Sequence, residues 1–102
     1  MSHCVNWSEL TEAETPSGGG KRVVQGGGGS LVMVRVPAGR KAPRHAHPHE
    51  QFVQVISGPG VLETDEGRRA FGPGTVFHFP PNTSHAAEFT TETVLVETNF
   101  DR

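Results

Sequence analysis

The chain has 102 residues, a formal net charge of −2 and one cysteine. This length suits one domain with a single core, and a lone cysteine excludes an intramolecular disulfide framework. The slight acidity argues against nonspecific nucleic-acid binding, which needs a strongly basic surface. No apolar stretch approaches the roughly 20 residues that span a bilayer, and the first residues lack the pattern of a secretory signal. We therefore expect a cytoplasmic protein with neither nucleic-acid nor membrane partners.

Glycines and prolines occur along the whole chain and separate short segments that contain valine. Residues 1–20 are polar and end in glycines, which indicates an N-terminal arm or a loosely packed first strand, with at most one helical turn, at 7–13. Residues 21–102 are predicted to form one barrel domain. The glycine-rich residues 26–30 are predicted to be a hairpin loop, because a phosphate-binding loop requires a following helix and a strand follows here.

Strands are predicted where apolar residues fall between these turn signals. The predicted strands are residues 21–25, 31–36, 51–56, 61–64, 68–71, 75–79, 85–90 and 93–98. Seven to nine short strands at this spacing are typical of an all-β sandwich or barrel.

Six histidines are a high count for this length, and two of them form a His-x-His pair. If His45 and His47 lie on one strand, their side chains project on one side, because residues i and i+2 of a strand share a face. Gln51 has the same parity, provided that Pro48 does not shift the register. His85 belongs to a distant segment that a barrel would have to bring across its interior. The pair alone leaves two interpretations open, one shared metal ion or the commoner surface or hydrogen-bonded histidines.

The spacing of these residues resembles the two motifs of the cupin superfamily. The first motif runs glycine, five residues, His-x-His, three or four residues, glutamate, six residues, glycine. Residues 39–58 match it, with Gln51 in place of glutamate. The second runs glycine, five residues, proline, one residue, glycine, two residues, histidine, three residues, asparagine. Residues 74–89 match it, with Asn82 and Phe89 as departures. Membership of this superfamily implies an all-β, single-domain jelly-roll barrel (a double-stranded β-helix) and a homodimer.

The resemblance also implies that His45, His47, Gln51 and His85 hold one divalent transition metal ion per chain, drawn from Zn, Ni, Mn, Fe or Co. Because Gln51 is neutral where the family has an anionic glutamate, the ion would keep its full charge. Such an ion is a stronger Lewis acid and attracts an anionic or chelating oxygen substrate. The lack of a carboxylate ligand also favours non-redox chemistry over oxygen chemistry.

The residues of both motifs are similar to those of small pectin-degradation cupins of the KdgF type. Those proteins linearise or isomerise unsaturated uronate sugars and also use a glutamine ligand. In those proteins the last strand ends in an acidic and aromatic segment followed by arginine. Here Glu97 matches the acidic position, but Asn99 replaces the aromatic residue and the sequence stops at Arg102. This difference leaves the predicted metal site intact and argues against a uronate substrate.

Three further residues are candidates for substrate chemistry, and each has a plainer alternative. Glu97 would serve as a catalytic general acid or base beside a carbonyl held by the ion, or it is a solvated strand residue. Arg35 would bind a substrate carboxylate if the neighbouring valines pack outward, or it lies on the surface. His78 either lines the pocket as a proton shuttle or is a surface residue.

Three functions are compatible with these features. The leading interpretation is a metal-dependent isomerase or lyase that acts, without redox change, on a small oxygenated and anionic molecule. A metal-dependent dioxygenase is the second, and it would consume oxygen. The third is a noncatalytic cupin that binds or senses a small molecule.

Overall fold

The computed structural model describes residues 3–101, which fold into two antiparallel β-sheets after one short 3-10 helix, Trp7–Glu9. No helical segment in this range has the length and hydropathy of a membrane span. Ten strands lie within the same range. They are β1 (Ala13–Glu14), β2 (Gly20–Gln25), β3 (Gly29–Val36), β4 (Lys41–His45), β5 (Gln51–Ser57), β6 (Gly60–Thr64), β7 (Gly67–Phe71), β8 (Val76–Phe79), β9 (His85–Phe89) and β10 (Thr93–Phe100).

The larger sheet has the strand order β1-β2-β3-β10-β5-β8, and the smaller sheet has the order β4-β9-β6-β7. Every ladder is antiparallel. The core lies between the sheets, where Val55 and Leu95 of the larger sheet and Phe71 and Phe89 of the smaller sheet are buried. This arrangement confirms the predicted all-β jelly-roll fold.

Alternation along the strands decides which side chains face the core. In β5, Gln51, Val53 and Val55 are buried between the sheets, while the residues between them point outward. In β10, Leu95 faces the core and sits opposite Val55, and the neighbouring Val96 is buried as well. Because a strand presents every second residue to one face, each inward position can be traced by its register.

The predicted strands are confirmed with small shifts at their ends, and the glycine-rich stretch does form the turn between β2 and β3. Gly26 donates its N–H to the carbonyl of Gly29 at 2.8 Å across that turn. Within residues 1–20, where an arm or a loosely packed first strand is expected, the short strand β1 pairs with β2 at the edge of the larger sheet. β4 was not predicted as a strand, because its proline, lysine and arginine mask the usual strand pattern.

Candidate metal centre

Three histidines converge where β4 ends and β9 begins. His45 is the last residue of β4 and pairs in register with His85, the first residue of β9. His47 follows in the loop after β4. The ring centroids of His45 and His85 are 4.3 Å apart, those of His45 and His47 are 4.9 Å apart, and those of His47 and His85 are 5.4 Å apart. One potential ligand atom from each ring lies within 4.8 Å of the others, so the group can hold a metal ion.

Two backbone carbonyls orient the rings for this purpose. His45 Nδ1 lies 2.8 Å from the carbonyl oxygen of Pro43, and His85 Nδ1 lies 2.9 Å from that of Thr83. Because a carbonyl oxygen only accepts, each Nδ1 must carry the proton, and each Nε2 keeps its lone pair. A neutral imidazole that donates through one nitrogen and ligates through the other is the usual form of a metal-binding histidine.

Burial favours the neutral imidazole at His47 and at His85. Burial lowers the pKa of His47, and the neighbouring rings of His45 and His85 lower it further. Burial also lowers the pKa of His85, against the opposing effect of its hydrogen bond to Thr83. The ring of Phe79 stacks on His85 at a centroid distance of 3.8 Å and accounts for part of that burial. Since only neutral imidazole binds a metal, the lowered pKa values suit ligation.

Gln51 lies on the opposite sheet from His45. It is the first residue of β5, its exposed fraction is 5%, and its Nε2 donates to Asn99 Oδ1 at 2.7 Å. The condition that His45 and His47 lie on one strand is not met, because β4 ends at His45 and a loop runs from there to Gln51, the first residue of β5. His47 and Gln51 nevertheless line the same cavity.

This cavity has a volume of about 670 Å³ and opens between the end of β10 and the loop that carries His47. Glu97 and Asn99 face it from β10, and His49 faces it from the loop. A larger cleft of about 870 Å³ lies between β7 and β8, but no member of the histidine cluster lines it. The smaller cavity is therefore the candidate site.

Glu97 is half-buried and faces the interior, with Val32 and Val53 as its partners on the adjacent strands. Burial raises the pKa of its carboxyl group, and a hydrogen bond from Asn99 partly opposes this effect. Because Glu97 is half-buried and lines the cavity, its position does not match the alternative of a solvated strand residue. A carboxyl group of raised pKa can hold a proton nearer neutral pH than an ordinary glutamate can.

Arg35 lies on the outer face of the larger sheet, away from the cavity. The neighbouring Val32 and Val36 are buried in the core, so the condition for an inward Arg35 is not met. Its guanidinium lies 2.8 Å from the Glu12 carboxylate and 3.6 Å from that of Glu92. This position does not support binding of a substrate at the histidine cluster.

His78 also points away from the cavity. It alternates with the buried Phe77 and Phe79, stacks on Phe52 at a centroid distance of 4.5 Å, and lies 2.7 Å from the Glu50 carboxylate. These contacts hold the imidazole on the outer face of the larger sheet. Its position, like that of Arg35, does not support a role in substrate binding at the cluster.

Asn99 and His49 are polar residues that line the cavity, and the sequence motifs assign neither of them a function. Asn99 accepts hydrogen bonds from Gln51 and lies 3.3 Å from His49 Nε2, and the ring of His49 stacks on His47 at a centroid distance of 5.0 Å. The sequence could have indicated Asn99 only through strand alternation, since Asn99 shares a face with Glu97, two residues earlier. That signal identifies a functional position only once Glu97 is known to face inward.

Solved structures of similar fold were found for the whole chain. An RmlC-like cupin from Shewanella frigidimarina matches with a TM-score of 0.90 and 20% identity, covering 100% of this chain and 93% of that one. KdgF from Halomonas sp. matches with a TM-score of 0.84 and 24% identity, covering 100% and 96%. Ectoine synthase from P. lautus matches with a TM-score of 0.85 and 18% identity, covering 97% and 78%. These likenesses establish a shared fold.

The family assignment comes from the sequence. A search of curated proteins finds no match. Residues 32–98, which contain the whole histidine cluster and most of both sheets, match the family model described as the cupin domain. The match covers well over half of the chain, so the chain belongs to the cupin domain family.

Proposed function

We propose that this cupin is a metal-dependent enzyme that isomerises or eliminates within a small, oxygenated, anionic molecule without redox change. The observation that carries the proposal is a cavity lined by His47 of the histidine cluster, by the uncharged Gln51 and by Glu97, whose carboxyl group has a raised pKa. His45 and His85, whose ring centroids lie 4.9 and 5.4 Å from that of His47, would complete an uncharged donor set.

The donor set suits a divalent transition metal ion. His45, His47 and His85 would hold it through imidazole nitrogens, and Gln51 would be the fourth donor through its amide oxygen. When bound, the ion supplies Lewis-acid polarisation of a substrate oxygen. Because all four donors are neutral, the ionic charge is not offset within the set. The site therefore favours a substrate that carries a carboxylate or a pair of chelating oxygens.

Glu97 supplies the acid–base part of the proposal. A proton next to a polarised carbonyl must be removed and returned during isomerisation or elimination. A carboxyl group performs both steps best when its pKa lies close to the working pH. Burial moves the pKa of Glu97 in that direction, and the hydrogen bond from Asn99 stabilises the carboxylate that forms when the proton leaves.

Sugar acids are the first substrate class to test, since the motifs resemble those of KdgF-type cupins and a KdgF structure shares the fold. Asn99 stands where those proteins have an aromatic residue, so the panel should extend beyond uronates. We suggest an unsaturated galacturonate, gluconate and pyruvate as probes. Each carries a carboxylate with a second oxygen close enough to chelate a cation.

The test is exchange of substrate protons with D2O, followed by proton NMR, after elemental analysis and loading with Zn, Ni, Mn or Co. We expect one probe to exchange the proton next to its carbonyl. The Glu97→Gln variant should lose this exchange, and Glu50→Gln should keep it, because Glu50 pairs with His78 on the outer face. Oxygen uptake by the iron-loaded protein would instead indicate a dioxygenase. Tight binding without exchange would indicate a noncatalytic binding protein.

A further inference from the structure

Asn99 contacts the proposed glutamine ligand of the cavity. It lies directly opposite Gln51 in the register of β5 and β10. Its Oδ1 accepts from Gln51 Nε2 at 2.7 Å and lies 3.3 Å from His49 Nε2. The oxygen of the Asn99 carboxamide is thus placed between two nitrogen atoms of the cavity wall.

The orientation of the Gln51 carboxamide decides whether it can act as a ligand. Only the amide oxygen has a lone pair available to a cation, because Nε2 carries two hydrogens and no available acceptor site. A half-turn of the terminal torsion exchanges the two atoms with little change of shape. Because Asn99 Oδ1 can only accept, it holds Nε2 on the Asn99 side and leaves Oε1 on the other.

The surroundings of Asn99 support its orientation. Its Oδ1 lies 2.7 Å from Gln51 Nε2 and 3.3 Å from His49 Nε2, so turning the carboxamide over would place a second donor against the Gln51 amide nitrogen. Gln51 is 95% removed from solvent, and water has little access to replace Asn99 as its partner.

The backbone holds Asn99 in place as well. Gly29 of β3 approaches the carbonyl of Asn99 so closely that a Cβ at position 29 would collide with it. Neighbouring strands on both sides, β3 and β5, pair with β10 at Asn99. The side chain therefore starts from a restrained backbone and has few ways to turn away from Gln51.

We propose that Asn99 is a positioning residue, which holds the Gln51 carboxamide with its oxygen free for the metal ion. This inference rests on the proposed metal site and adds to it a residue that orients one of the ligands.

The first experiment titrates Co2+ into the metal-free protein and follows the visible absorption of the bound ion. Asn99→Leu should weaken Co2+ binding about 10- to 100-fold, the usual effect of removing a partner of a metal ligand. Asn99→Asp, whose carboxylate still accepts from Gln51, should retain at least wild-type affinity. Thr98→Val changes the adjacent, outward-facing residue and should leave the affinity unchanged. If Asn99→Leu does not fold, Asn99→Ala replaces it.

A double-mutant cycle separates positioning from general support of the fold. In the Gln51→Glu background either carboxylate oxygen can ligate, so no orienting partner is needed. We expect Asn99→Leu to change the Co2+ affinity there by less than about threefold. An equal loss in both backgrounds would show a purely structural role and overturn the inference.

The two proposals fail in different ways. If the wild-type protein binds no Co2+, the metal site itself is wrong, and this inference falls with it. If the wild type binds Co2+ and Asn99→Leu binds it equally well, only the positioning role is overturned.

Discussion

The two ends of the β5–β10 ladder have the same geometry and opposite chemistry. At one end Val55 sits opposite Leu95, and both are buried in the core. At the other end Gln51 sits opposite Asn99, and both face the candidate metal cavity. The register shifts between Val94 and Leu95 but is continuous from Leu95 to Asn99, so along this stretch only the identity of the inward residue changes. The comparison shows how a sheet supports a polar site without interrupting its ladder.

The change of chemistry occurs over one step of the ladder. Val53 is buried and belongs to the core, whereas its register partner Glu97 lies on the cavity wall. Glu97 is therefore where the apolar interior meets the site, which explains why burial raises its pKa. The core end should determine stability and the cavity end should determine ligand binding. The following predictions test that separation.

The largest effect is expected at the cluster itself. His47→Ala removes one of the three clustered histidine donors, and we expect metal occupancy to fall by roughly tenfold or more while the fold persists. His78→Ala is the matched control, since this histidine lies on the outer face. Elemental analysis of the purified variants measures both. Unchanged occupancy in His47→Ala would contradict the site assignment.

The core end should respond in the opposite way. Leu95→Ala truncates a buried side chain, and such changes destabilise by about 3 kcal/mol because a cavity remains. Urea denaturation of the metal-free protein measures this loss. The folded variant should bind Co2+ with wild-type affinity, because Leu95 lies two inward positions from Asn99. A large loss of affinity would show that the two ends are coupled.

The next effect concerns the charge of the donor set. Gln51→Glu should keep the metal ion but reduce its net positive charge. We expect oxalate, a small chelating dianion, to bind the loaded protein about tenfold more weakly, since one unit of charge at contact distance changes the energy by roughly 1 kcal/mol or more. Isothermal titration with oxalate measures this difference. Tighter oxalate binding by the variant would contradict the charge argument.

Much of this separation could be predicted from the sequence. Turn residues and alternation located eight of the strands, and motif spacing brought His85 into the same set as His45 and His47. These signals succeed because they are local or follow a period. The orientation of the sheet faces was harder to predict. Apolar residues occur on both faces of β3, as at Val32 and Met33, so alternation alone did not show which way Arg35 points.

The remaining errors concern contacts between distant segments. The loop after β4 carries His47 to the cavity by a path that no periodicity describes. The bond between Gln51 and Asn99 depends on the register of β5 against β10, over a separation of 48 residues. Such pairing is decided by the packing of the whole barrel. From the sequence, Asn99 could be noted only as a polar residue where KdgF-type cupins have an aromatic one.

The smallest expected effect is the pH dependence of stability at the boundary between the two ends. Burial raises the folded-state pKa of Glu97 above 4.5, even though Asn99, Lys21, His49 and His45 oppose this change. The folded state then binds the proton more tightly than the unfolded chain does. Stability should therefore fall as pH rises from the unfolded pKa through the folded one.

Glu97→Gln removes this penalty, because a neutral amide does not lose a proton. In metal-free protein, the variant should gain stability relative to wild type as pH rises above 4.5, and the advantage should be complete above the folded pKa. Urea unfolding at a series of pH values measures it, with Glu66→Gln in the exposed turn between β6 and β7 as the control. A constant difference at every pH would mean that Glu97 ionises as freely in the folded protein as in the unfolded chain. The boundary between core and site would then be set by shape alone, and the acid–base role of Glu97 would lose its physical basis.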